Sequence, residues 1–390
     1  MKYHLTKKDI NRLCVFSFYD PDGHVDKYII WILEALDSLI SDWIIVVNGT
    51  LERCGEKELR RFTKHIFKRE NRGFDAGGYQ YILCHCLRAE ELSKYDEIVL
   101  CNNTFFFLRN SFDDLFQQAY VNKWDFWGIT GYLHVIFSHI QSYFLVFSRK
   151  IIEQNLLIDY FGGNVDGRTN DIGIVCAQFE MGLFDFLVEQ HHMRYGCLID
   201  LHDLDVYGDS FRCLQQYNIP IVKKKTFSSD YDLYNMLITL KFLRQNTNFP
   251  VELIEECIAR LYKVPKDEEK TADNSFDEIP LKIGMSRSSS SESMIEKFLM
   301  TGNYYIYGAG VYACKAYWKY ARRISGFRGF VVSDCSNDKP VTLFGYPVFF
   351  LQQIKPLCQK KILVAVKTVF ADEIMEQFSS NEKENVLRIF

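Results

Sequence analysis

The chain has 390 residues, 48% hydrophobic and 25% charged, which is long enough for two domains and ordinary for a globular protein. A net charge of −4 gives no electrostatic case for nucleic acid as a partner. The twelve cysteines lack regular spacing and the first eight residues, Met1 to Lys8, carry no secretory pattern, so reduced thiols in the cytoplasm are expected.

Cys14-Val15-Phe16-Ser17-Phe18-Tyr19 reads as a buried strand that stops at the turn Asp20-Pro21-Asp22-Gly23, and Val25 to Ile40 follows with helical apolar spacing. A second apolar run, Trp43 to Val47, stops at Asn48-Gly49, and a third, Glu97 to Cys101, stops at Asn102-Asn103-Thr104. Strand, helix, strand, helix, strand predicts a parallel sheet with crossover helices, and ligands of such sheets bind beyond the carboxyl ends of the strands. Polar residues stand at those ends.

Between the second and third runs, Arg69 to Tyr79 packs Asn71, Gly73, Asp75, Gly77 and Gly78 between a strand-like and a helix-like stretch. Glycines allow positive φ and let backbone N–H groups approach a ligand, and a following helix start favours negative charge such as a diphosphate. Taken alone, the run reads first as an ordinary glycine-rich turn.

Trp127 to Ser148 holds no Asp, Glu, Lys or Arg, but its glycines, His139, Gln141 and serines interrupt it, so it reads as two buried strands and not a membrane span. The first is expected to end at Trp127-Gly128 and the second to cover Ser142–Ser148, with His139 and Gln141 on the connection. Glu180 stands near the start of an apolar-periodic helix, where a carboxylate gains from the helix dipole, and Asp171 lies nine residues earlier. Either is a candidate base, with Glu180 first. Lys223-Lys224-Lys225 follow a short strand and read either as a solvated run or as cations that neutralise a leaving diphosphate. Ser228 to Lys263 looks helical, and residues 265–293, rich in charge and serine, read as a linker.

The remaining residues repeat an α/β pattern. Tyr304 to Tyr307 runs into Gly308-Ala309-Gly310 and a helix, and then a strand ends at Asp334. Strand, glycine loop, helix, strand and acidic residue is a dinucleotide-binding pattern, with Gly308 and Gly310 at the phosphates and Asp334 at the ribose. No redox cofactor is expected, because no catalytic Tyr-Lys or His arrangement accompanies it.

The ordered motifs Phe18-Tyr19-Asp20, Val47-Asn48-Gly49, Asn71-Arg72-Gly73-Phe74-Asp75-Ala76-Gly77, Leu100-Cys101-Asn102-Asn103-Thr104, Asp125 to Thr130 and His139 to Phe144 resemble the rhamnan synthesis protein F family. The resemblance continues through Phe179-Glu180-Met181-Gly182-Leu183 and Ile219 to Lys223. It covers roughly the first 265 residues and implies a GT-A-type glycosyltransferase domain at 1–264; the linker 265–293 follows, and 294–390 resembles the small Rossmann-like modules of sugar-modifying proteins, which implies a domain that binds a nucleotide or docks a partner. The family resemblance further implies a nucleotide-sugar donor, dTDP-L-rhamnose by family, and a glycan or lipid-linked glycan acceptor of the bacterial surface. Transfer would be inverting, and contact with the inner face of the membrane at most peripheral.

By the same resemblance the donor pocket takes Asp20, Asn48, Asn71, Gly73, Asp75, Gly77, Asn102, Asn103, His139, Gln141, Lys223 and Lys224, and Glu180 matches the family's base. One departure stands out. The family commonly has Asn-Asp-Ser where this chain has Asn102-Asn103-Thr104, so an amide replaces the carboxylate that would hold Mg²⁺ or Mn²⁺. That departure leaves open a non-catalytic scaffold of the same fold, and the C-terminal pattern leaves open an oxidoreductase or epimerase.

Overall fold

The computed structural model describes residues 5–133, 138–202, 204–228, 231, 233–262, 292–321, 323–333, 342–344, 346–366 and 368–389. The chain divides into two compact units, Met1–Asn170 with Phe184–Ile279, and Asp171–Leu183 with Pro280–Phe390.

In the first unit, β1 (Arg12–Phe18) is buried along its whole length between β2 (Asp42–Asn48) and β4 (Glu97–Asn102), parallel to both, with β3 (Ile66–Arg69) beyond β2. A strand buried on both faces needs continuous apolar sequence, which is why this one reads without alternation. Helix α1 (Lys27–Asp37) connects β1 to β2, and α2 (Arg53–Leu59) connects β2 to β3. Helix α3 (Phe74–Tyr81) leads on towards β4. Helix α1 buries Tyr28, Ile29, Ile32, Leu33, Ala35 and Leu36, the single apolar face its spacing predicted.

Beyond β4 the sheet turns antiparallel through β8 (Phe144–Ser148) and β6 (Phe126–Tyr132), and β6 also pairs with β7 (His139–Ile140) and β9 (Tyr195–Asp200). Here the sequence expectation needs correction. The strand does not end at Trp127-Gly128 but runs on to Tyr132, and His139 lies in the ladder instead of on a loop. Gly128 and Gly131 serve close approach: a Cβ at Gly128 would lie 2.8 Å from the Phe144 carbonyl, and one at Gly131 2.9 Å from that of His139.

A separate ladder pairs β5 (Phe105–Phe107) antiparallel with β10 (Ile221–Lys223), which brings Lys223 opposite Phe105 just after β4. The expected long helix after residue 228 is two helices, Leu233–Asn246 and Glu252–Tyr262. Thr247 ends the first by donating to the Leu243 carbonyl at 2.8 Å, and Pro250 cannot continue it.

The second unit contains β11 (Asn303–Tyr307), β12 (Phe327–Val332), β13 (Thr342–Leu343), β14 (Tyr346–Phe350), β15 (Lys360–Val364) and β16 (Val386–Arg388), in the order β13-β14-β12-β11-β15-β16. All pairs are parallel except that of β13 with β14. With β13 set aside, the order is third, second, first, fourth, fifth, that of a doubly wound nucleotide-binding half. The α/β expectation therefore holds in both units.

Segment Asp171–Leu183 belongs to this second unit, although the sequence placed it inside the first domain. Its helical stretch Ile172–Gly182 packs against Val311–Ala321. Its buried residues Val175, Ala177, Phe179 and Met181 supply the apolar face that this packing needs. The expected linker lies outside the described residues as far as residue 291, and so does Asp334. Glu292–Leu299 is a helix.

Candidate functional site

The polar residues singled out in the sequence line the carboxyl edge of β1, β2 and β4, where β-strand geometry delivers the residue after each strand to the same rim. Asp75, in the first turn of α3, accepts a hydrogen bond from Asn102 Nδ2 at 2.6 Å. Asn102 Oδ1 accepts from the Thr104 hydroxyl at 2.7 Å, and that hydroxyl accepts from Lys223 Nζ at 2.8 Å. A carboxylate is thereby joined to an ammonium through an amide and a hydroxyl. Lys223 is only 5% exposed, and its ammonium sits 4.4 Å above the Tyr143 ring. Tyr143 OH lies 2.8 Å from Thr130 Oγ1, which bonds Gln141 Oε1 at 2.7 Å. Gln141 thus supports the ring under Lys223. His139 is buried and its ring tilts against that of Tyr132 at 5.2 Å.

Lys224 follows. Its backbone N–H donates to the Thr104 carbonyl at 2.9 Å and its ammonium lies 3.3 Å from Tyr28 OH. Burial pushes the Lys224 ammonium below its ordinary value, against the pull of Cys257, Asp20 and Asp26. Among the described residues it forms no ion pair.

Asn103 explains why an amide stands at its position. Its Nδ2 donates to the Tyr19 carbonyl at 2.9 Å while its Oδ1 accepts from the Tyr19 N–H at 3.1 Å. A carboxylate could accept but not donate, so only an amide pairs with both groups of Tyr19. Asn103 therefore fixes the turn after β1, and its carbonyl oxygen is occupied.

Asp20 is 2% exposed and accepts from the backbone of Asp22 and His24 at 3.0 Å each, and from two nitrogens of Arg260. Arg260, on Glu252–Tyr262, also reaches Asp26 at 2.7 Å. Burial raises the Asp20 carboxyl, but the bonds from Arg260, His24 and Asp22 outweigh it and hold the group below the ordinary range. The sequence reading missed Arg260. It stands about 240 residues from Asp20 and inside an amphipathic helix, where an arginine ordinarily means a solvated face.

The glycine-rich loop is filled by protein. Gly73 has φ of +64° and donates its N–H to the Thr169 carbonyl at 2.7 Å, and a Cβ there would meet Gly167 at 2.7 Å. A Cβ at Gly77 would come within 2.4 Å of the Arg72 carbonyl. Both glycines thus permit α3 to dock closely; the N–H of Gly77 donates to the Gly73 carbonyl and neither N–H points at open space. Asn48 bonds Ser17 at 2.9 Å and Arg69 at 2.7 Å, which ties β2 to this loop. Asn71 Oδ1 is buried and makes no hydrogen bond among the described residues.

A divalent cation would need several hard oxygens in one place. The Asn103 oxygen accepts from Tyr19, the Asp20 carboxylate is held by Arg260, and no three His, Cys, Asp or Glu groups converge among the described residues. These donors do not form such a cage. Lys223 and Lys224 add positive charge at this edge beside Arg69 and Arg260.

The base candidates lie in the second unit. Asp171 caps its helix, accepting from Gly173 N–H at 2.7 Å and Ile174 N–H at 3.3 Å, a structural use of that carboxylate. Glu180 is half-buried in the continuation of the same helix. In the same unit Gly308 has φ of +119° and a Cβ there would lie 2.9 Å from the Ala365 carbonyl, whereas a Cβ at Gly310 would meet nothing within 4 Å.

Comparison with known proteins follows this layout. The chain is 26% identical over 134 residues to virulence protein VirA of Vibrio anguillarum, covering 34% of this chain and 41% of VirA, so it spans less than half the length of the curated relatives it matches. Among solved structures, the apo-form glycosyltransferase GlyE of Streptococcus pneumoniae is 10% identical, with 94% of this chain and 89% of GlyE covered and a TM-score of 0.33. Mouse xyloside xylosyltransferase 1 is 9% identical, with coverages of 55% and 96% and a TM-score of 0.30. Core-mannan synthase A of Aspergillus fumigatus, in its Mn/GDP form, is 10% identical, with coverages of 42% and 69% and a TM-score of 0.26. The family model of rhamnan synthesis protein F matches residues 43–275. That span is more than half of the chain, which belongs to the rhamnan synthesis protein F family.

Proposed function

We propose that this chain is a glycosyltransferase that moves a sugar, L-rhamnose in our reading, from a dTDP-linked donor to a growing bacterial cell-surface polysaccharide with inversion. Family membership supports sugar transfer in polysaccharide synthesis. The observation that carries the reading here is the chain Asp75, Asn102, Thr104, Lys223, which holds a carboxylate and a buried ammonium at the carboxyl edge of one parallel sheet.

In the proposed reaction the acceptor hydroxyl oxygen attacks the anomeric carbon as the bond to the diphosphate breaks. The leaving diphosphate keeps the electron pair, and the hydroxyl proton passes to a base. Lys223 and Lys224 would offset the charge that develops on the leaving group, the task that a metal performs elsewhere. Asp75 would orient the sugar from the first turn of α3. Glu180 is the proposed base, on the family match alone, with Asp171 in reserve. The enzyme would work in the cytoplasm at or near the inner face of the membrane, and no helix among the described residues is long and apolar enough to cross one.

The test is hydrolysis and transfer of dTDP-L-rhamnose by the full chain, with and without EDTA, beside a thermal-shift screen of nucleotide sugars. Turnover that persists in EDTA is expected. If no nucleotide sugar stabilises the chain and none is turned over, the scaffold reading takes its place. That alternative is favoured by one observation, the commitment of Asn103 to the Tyr19 backbone.

For the second unit we propose nucleotide binding at Gly308-Ala309-Gly310, supported by the strand order and by the open space at Gly310. Asp334 remains the proposed ribose partner. Gly310→Asp should remove any stabilisation by added dinucleotide while leaving that by donor sugar in place.

A further inference from the structure

Strand β3 closes one side of the first sheet and helix α2 leads into it, and the proposed reaction uses neither. Residues 52–72, which contain both, hold eight Lys and Arg against four Glu, in a chain whose net charge is −4. A basic run is ordinarily a solvated face, so the placement of the charges decides what it can do.

At about 100° per residue, Arg53, Lys57 and Arg60 fall on one side of α2. The turn continues to Thr63, whose N–H donates to the Leu59 carbonyl at 3.4 Å, and Lys64 follows directly. Gly55 and Leu59 are buried on the other side, and Phe62 packs against the core. Glu56 is shared between Arg60 at 2.5 Å and Lys68 at 2.7 Å, and Arg61 meets Glu34 and Glu58 at 2.8 Å each. Arg53, Lys57 and Lys64 are exposed, and among the described residues they form no ion pair.

The apolar side of α2 is used by the core, so its outer face attracts by charge alone. From Arg53 to Lys64 is about 16 Å along a helix, too far for one phosphate to bridge. The fitting partner is a broad anionic surface. A single-stranded nucleic acid would also need rings to stack on, but the nearest, Phe62 and Phe67, pack edge-on against Trp43 and Tyr81. A bilayer with anionic headgroups needs only the cations. The stripe also begins beside the carboxyl edge: α2 starts soon after Asn48, the last residue of β2, and the Glu52 N–H donates to the Gly23 carbonyl at 2.9 Å, in the turn that follows β1.

We infer that the outer face of α2 is a docking surface for a bilayer rich in anionic phospholipid. Its contact brings the carboxyl edge up to the membrane, where, resting on the transferase reading above, a lipid-linked acceptor is within reach. The binding itself does not depend on that reading.

Co-sedimentation of the full chain with vesicles of phosphatidylcholine containing about one third phosphatidylglycerol, against vesicles of phosphatidylcholine alone, tests the inference at low salt and at about 1 M NaCl, where the screening length shrinks to about 3 Å. Binding is expected to the anionic vesicles only, and high salt should abolish it. Arg53→Gln, Lys57→Gln and Lys64→Gln together should weaken it about a hundredfold, since each cation near such a surface contributes about fivefold. A control with Lys8→Gln, Lys94→Gln and Lys123→Gln, exposed positions elsewhere on the first unit, removes the same charge and should bind like the unchanged chain. Both variants should keep the unfolding midpoint and the thermal shift by dTDP-L-rhamnose. The inference is overturned by undetectable binding, by equal binding to neutral vesicles, by binding that survives high salt, or by a control as weak as the triple variant. A single-stranded oligonucleotide that binds more tightly than the vesicles and is lost with the same three substitutions would also overturn it, by giving the face to nucleic acid. Vesicle binding as expected without a donor shift in any sample would support the inference and strike only the transferase reading.

Discussion

The two units share one sheet core and finish it differently. In each, the first strand lies between the second and the fourth, with the third outside the second, all parallel. After the first strand of the first unit comes Tyr19-Asp20, a buried carboxylate held by Arg260, with Asn103 paired to the Tyr19 backbone. After the first strand of the second unit comes Gly308-Ala309-Gly310, with no side chain larger than a methyl group. The same topology therefore presents side-chain chemistry at one carboxyl edge and bare backbone at the other. Topology says where a ligand goes, and the residues after the strands say what kind.

The sharpest way to break this contrast is to remove the proposed chemistry. Glu180→Gln keeps size and hydrogen bonding but not basicity, so turnover should fall by roughly 10²- to 10⁴-fold while the donor-induced thermal shift remains. Wild-type turnover would move the role to Asp171. Asp75→Asn should lower donor turnover by more than tenfold, on the order of one lost charge-assisted hydrogen bond, without unfolding the chain. A normal rate with an unchanged KM would remove Asp75 from the site.

Stability separates the edges next. Arg260→Ala leaves Asp20 and Asp26 without their shared cation and should cost about 2–3 kcal/mol in denaturant unfolding, less than for a fully buried pair because Arg260 is 23% exposed. The pH dependence follows from the sign. The folded Asp20 carboxyl lies below its ordinary value of 3.8, so its contribution is whole above that value and is lost as the pH falls through the lowered one. Asp20→Asn should flatten the acid limb of the stability curve, and an unchanged slope below pH 3.8 would show that the pairing gives nothing.

The smallest effect compares two glycines. Gly73→Ala forces a side chain into φ of +64° and into contact with Gly167, and should cost about 1–3 kcal/mol. Gly310→Ala meets nothing within 4 Å and should change stability by less than about 0.5 kcal/mol. Equal costs would mean that the second loop, like the first, is glycine-rich for packing.

Much of this was legible beforehand because it depends on neighbours in the chain. The strands β1, β2 and β4 and the polar residues after them follow from apolar runs and their stops, and β11, β12 and β15 in the same way. The errors share a cause. Gly128 and Gly131 look like strand ends, but they allow neighbouring strands to approach, and which neighbours approach is not written locally. Gly73 and Gly77 look like a phosphate cradle, yet their space is taken by Gly167 and Arg72. Segment Asp171–Leu183 follows the first unit in sequence but packs with Val311–Ala321.

By itself the sequence determined the α/β class and put polar residues directly after the apolar strands, since periodicity and strand ends are local properties. Tertiary structure alone decided how those residues are wired. It joined Asp75 to Lys223 through Asn102 and Thr104 and brought Arg260 across about 240 residues to Asp20. Buried polar groups must find partners wherever the fold brings them, and sequence distance carries no record of which partner that will be.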